Sequence, residues 1–81
     1  MTRPARGDLA ARLGEPTDQE GSANEPRTRV DYGVRWNEKW TYHDPEGRGF
    51  DRVVLWLRSD LQGVWRVGRD GQASAEPLAE P

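Results

Sequence analysis

From Val30 to Trp36 apolar and polar residues alternate, with Val30, Tyr32, Val34 and Trp36 set against Asp31, Gly33 and Arg35. Period two is the signature of a strand with one buried face. Asn37 and Glu38 interrupt the apolar pattern and predict a tight connection. A second short strand follows, with Trp40 and Tyr42 on the ring-bearing face and Lys39, Thr41 and His43 on the other. Asp44-Pro45-Glu46-Gly47 has the residue types of a type I turn, Asp first, Pro second and Gly fourth.

The next stretch fits two periods. As a strand, Arg52-Val53-Val54-Leu55-Trp56-Leu57-Arg58 is a β-branched and aromatic run, apolar on both faces like a central strand. As a helix, Phe50, Val53, Val54, Leu57 and Leu61 share one face, with Asp51 as N-cap and Gly63 as stop. The strand is preferred, because Val-Val and Trp are poor helix formers and a sheet needs this strand to close its core. A last strand runs from Val64 to Val67, and Arg69-Asp70-Gly71 supplies a turn.

These elements predict an all-β fold, a small antiparallel meander of about four strands between disordered tails. The alternative is α+β with residues 51–62 helical. The domain spans residues 29–71, and residues 1–28 and 72–81 read as tails too poor in large apolar side chains to repay their own ordering. Within the first tail, Asp8 to Gly14 has an N-cap candidate, Leu9 and Leu13 at i and i+4, and a glycine stop. Such a helix is too short to persist alone in water and could order only on a partner or on the domain's own sheet.

Composition narrows this picture. All seven aromatic residues lie between Tyr32 and Trp65, so ring packing carries the core or any interface. With 81 residues and no cysteine, the chain holds one small domain without disulfides or thiolate metal sites. The net charge of −2 is unevenly spread, since residues 27–71 hold eight Arg and one Lys against seven acids while both tails are acidic. That slight surplus permits an acidic partner without demanding one. No apolar run reaches the ~20 residues of a membrane span or the about 7–15 of a signal-peptide core, so the expected location is cytoplasmic.

Catalytic chemistry has little support. His43 stands alone, Ser22, Ser59 and Ser74 lack a nucleophile elbow or basic partner, and Gly47 and Gly49 belong to a turn rather than a phosphate loop. His43, Asp44, Glu46 and Asp51 match no metal-ligand spacing and read as a solvated loop. No catalytic residue, metal or cofactor is therefore assigned. If residues 52–58 run extended, one face takes Tyr32, Val34, Trp36, Trp40, Tyr42, Val53, Leu55, Leu57, Trp65 and Val67 as core. The other presents Arg35, Arg52, Trp56, Arg58 and Arg66, with Arg29, Val54 and Val64 beside them. Trp set among guanidiniums is a pairing enriched at binding hot spots. The expected function is a non-catalytic protein-interaction module that docks by this Arg/Trp face, or by an open edge strand, onto a larger acidic protein or a second copy. Single-stranded nucleic-acid binding, with Trp56 stacking a base, is the alternative. An enzyme is the least supported class.

Overall fold

The computed structural model describes residues 6–76. In chain order it contains α1 (Arg6–Leu13), β1 (Asp18–Gly21), β2 (Arg29–Asp31), β3 (Val34–Trp36), β4 (Glu38–Tyr42), β5 (Phe50–Leu57), β6 (Asp60–Gly68) and β7 (Ala73–Ala75). Five strands form one antiparallel sheet in the order β1-β4-β5-β6-β7, and β2 and β3 pair as a separate hairpin. The fold is thus mostly β, with the meander running from β4 to β7.

Residues 51–62 are not helical. β5 and β6 are joined by Arg58 and Ser59, whose φ angles of 49° and 72° are both left-handed, the geometry of a tight hairpin turn that matches strand twist. Without an Asn-Gly pair the turn leaves no ordinary trace in the sequence. The expected strand from Val30 to Trp36 is instead a hairpin, broken where Tyr32 and Gly33 take φ of 55° and 79°. A tyrosine is strained in that region, and its ring stacks on Trp65 at 5.1 Å, which offsets the strain.

The segments expected to be tails are partly structured. α1 begins earlier than the Asp8 cap candidate, places Asp8 in its first turn and Arg12 in its last, and closes on Gly14, whose N–H donates to the Ala10 carbonyl at 2.8 Å. Leu9 buries itself against the sheet, which supplies the stabilisation that an eight-residue helix lacks on its own. β1 pairs residue for residue with β4, and β7 with β6, so backbone bonding orders polar segments that hydropathy cannot flag. Residues 1–5 and 77–81 of the expected tails lie outside the described residues.

Both faces of the sheet are apolar. Trp40, Tyr42, Val54, Trp56, Leu61 and Val64 gather beneath α1 with Leu9. Val53, Leu55 and Trp65 meet Trp36 on the opposite side, beneath the β2–β3 hairpin. The single-core assignment is corrected accordingly: Trp36 and Trp40 lie on opposite faces because the chain crosses the sheet at Asn37. Val54, Trp56 and Val64 belong to a second core rather than an outer surface. A register shift between Leu55 and Trp56 accommodates the extra residue of β6.

Candidate functional site

The five residues expected to form a docking patch are dispersed. Trp56 is 0% exposed and sits with its ring centroid 5.0 Å from that of Trp40, so the premise that it faces outward is corrected. Arg52 and Arg66 stay on the same face of neighbouring strands but are neutralised from within the chain. Arg52 donates from Nε to Glu76 at 3.1 Å and from Nη2 to Glu46 at 2.9 Å, and Arg66 Nε donates to the same Glu76 carboxylate at 3.1 Å. Both guanidiniums also lie over the Phe50 ring. Burial acts to lower the Arg52 pKa, but its bonds to Glu76 and Glu46 outweigh this and raise it. Arg35 and Arg58 remain exposed, one on the hairpin opposite Val30 and one in the β5–β6 turn.

Asn37, between β3 and β4, and Glu38, the first residue of β4, were expected only as a tight connection, yet both are fully buried. Glu38 lies in phase with Trp40 and Tyr42 and points under α1. Its Oε2 accepts from Arg6 Nη2 at 2.6 Å, Trp40 Nε1 at 2.9 Å and Gln19 Nε2 at 3.0 Å. Among the described residues, Glu38 Oε1, Arg6 Nε and Trp56 Nε1 are buried without a hydrogen-bond partner. Asn37 joins three segments: its Nδ2 donates to the carbonyls of Ala23 and Glu25, and its Oδ1 accepts from the Arg58 N–H at 2.9 Å. Its own backbone N–H reaches Trp56 and its carbonyl accepts from Ser22. Glycine is required at position 21, where φ is 70° and a Cβ would overlap that carbonyl oxygen.

Asn37 also floors an open groove of about 550 Å³ lined by Glu20, Glu25, Arg27, Arg29 and Trp36. Arg27, Arg29, Arg35 and Arg58 make no ion pair with a carboxylate among the described residues, unlike Arg6, Arg52 and Arg66. In the loop before β5 the acids build the turn: Asp51 Oδ1 accepts from the Asp44 N–H and Asp44 Oδ1 from the Gly49 N–H, both at 2.9 Å. Among the described residues no group of three or more His, Asp or Glu is arranged to hold a metal ion.

The sheet has two unlike edges. β1 carries Asp18 and Glu20, charges that discourage pairing with another chain. β7 reads Ala-Ser-Ala, exposed throughout, and pairs with only three residues of the nine-residue β6. The Glu76 N–H donates to the Val64 carbonyl and the Gln72 carbonyl accepts from Gly68, so even-numbered residues bond inward. The N–H and C=O groups of Ala73 and Ala75 therefore face the open side.

No protein-family model, curated protein or solved structure matches this chain. No helix among the described residues is long and apolar enough to cross a membrane.

Proposed function

We propose that this chain is a small non-catalytic protein-interaction module that takes an extended segment of a larger protein onto its β7 edge. The observation that carries the reading is the pair of outward-facing residues Ala73 and Ala75, unguarded by charge, bulk or a bulge among the described residues. Strand addition needs only main-chain pairing and does not depend on a deep cleft. Arg27, Arg29, Arg35 and Arg58, which make no ion pair with a carboxylate among the described residues, favour an acidic partner. The Arg/Trp sheet face is set aside because Trp56 is in the core, and the nucleic-acid alternative loses the ring on which it relied.

Ala75→Pro removes one outward donor while leaving the β6–β7 bonds intact, since proline is tolerated on edge strands. Proteins captured from native lysate by the tagged wild type should be lost with Ala75→Pro, while Ala75→Ser retains them. An unchanged capture profile for a folded Ala75→Pro protein, judged by near-ultraviolet circular dichroism, overturns the reading.

A further inference from the structure

We infer that the sheet face beneath α1 is a helix-binding site for which α1 is a replaceable, internal occupant. The partner that fits it is an amphipathic helix of another protein carrying Arg, Leu and Leu at i, i+3 and i+7. This site is separate from the β7 edge and stands or falls independently of it.

The required chemistry is displayed by α1 itself. Arg6 reaches a fully buried carboxylate on Glu38 and lies 5.8 Å from the Trp40 ring centroid. Leu9, one turn on, enters the cluster formed by Trp40, Trp56 and Leu61, and Leu13 packs at its margin. Behind the helix, Tyr42 donates to the Gly14 carbonyl at 2.9 Å. The sheet thus offers a fixed acceptor at one end, an indole floor in the middle and a phenol donor at the other. An i, i+3, i+7 stripe is how helices are read by apolar grooves.

Two observations make α1 replaceable rather than permanent. Eight residues cannot hold a helix in water, so α1 is ordered by the site and not the reverse. It also satisfies the site incompletely, since among the described residues the Glu38 Oε1 acceptor and the Trp56 Nε1 donor find no partner under it, nor does its own Arg6 Nε. Buried polar atoms without partners are costly. A longer helix that brings a hydroxyl or amide to these atoms gains what α1 forgoes, and can displace it despite the tether.

The test uses the full chain and a labelled synthetic helix of about fifteen residues, constrained by a side-chain staple and carrying the Arg, Leu, Leu stripe with a Gln beside the Arg. Fluorescence anisotropy should show binding to wild type, and binding at least about tenfold tighter to Leu9→Ala or Arg6→Ala, because the apparent affinity rises as the internal competitor vacates the site. Replacing the peptide Arg with Glu should abolish binding. Equal affinity for wild type and both variants places the peptide elsewhere and overturns the inference, as does no binding to variants that remain folded. Loss of the folded sheet in both variants overturns it too, since α1 is then an indispensable part of the core. Self-exchange of α1 between two copies, seen as a dimer of wild type without peptide, would make the occupant a second copy and refute a separate partner.

Discussion

The two faces of the sheet bury tryptophan pairs under covers of different origin. The hairpin cover is local: the Trp36 indole donates to Asp31 within the same hairpin at 3.0 Å, and Lys39 reaches that carboxylate at 3.4 Å. The helix cover is remote, and Arg6 crosses 32 residues of sequence to reach Glu38. The Asp31 side chain keeps contact with water, whereas Glu38 has none. One face is therefore closed by groups that retain partial hydration, and the other by an ion pair whose carboxylate is fully dehydrated, a poor source of net stability and a substantial loss when one partner is removed.

That contrast can be broken most forcefully at the helix face. Trp56→Ala is expected to cost about 3–5 kcal/mol, read as a lowered urea midpoint, because the ring has no exposure and its cavity is lined by Trp40, Leu61 and Val64. Glu38→Ala should cost about 2–3 kcal/mol, less than the full loss expected of a buried pair because the Arg6 side chain is partly hydrated. On the hairpin face, Tyr32→Ala removes the stack on Trp65 and should cost about 1 kcal/mol, with a visible change in near-ultraviolet circular dichroism. If the Glu38 and Tyr32 variants prove equally stable, the two covers do not differ as described.

Titration gives the finest distinction. Burial under α1 raises the Tyr42 phenol above its ordinary value of 10.0, with Arg52 pulling weakly the other way. The folded chain then holds this proton more tightly than the unfolded chain. Its contribution is complete below the ordinary value and is lost as pH rises through the raised one. At the exposed far end, the hydrogen bond from Arg52 lowers Glu46 from 4.5, so that contribution is present above this value and is lost as pH falls through the lowered one. Thermal melts should show a shallow alkaline loss that Tyr42→Phe flattens, and a shallow acid loss that Glu46→Gln flattens.

Much of the sheet was legible from residue pattern. The strand through Val53 to Leu57 follows from β-branched and aromatic density, and the Asp44–Gly47 turn closes with the expected bond from the Gly47 N–H to the Asp44 carbonyl at 3.2 Å. Three things were not legible. The turns at Tyr32-Gly33 and Arg58-Ser59 place Tyr32, Arg58 and Ser59 in left-handed backbone that such residues usually avoid, so tertiary contacts override local preference there. β1 and β7 are held by backbone pairing, which polar or small residues reveal poorly. The outward assignment of Trp56 assumed one core, although a run apolar on both faces is what a central strand with two covers requires. Glu38 did carry a signal, its phase with Trp40 and Tyr42, but a charged residue at an inward position becomes intelligible only once Arg6 and Gln19 are seen to converge on it.

Asn37 has a chemical consequence beyond geometry. Exchange of its side-chain amide for a carboxylate would replace an NH₂ group that serves two carbonyls with an oxygen that repels both. The loss of these two donors would thus unhook the 22–25 loop from the sheet. Asn37→Asp should therefore open the Arg27 and Arg29 groove while the β5–β6 ladder stays intact.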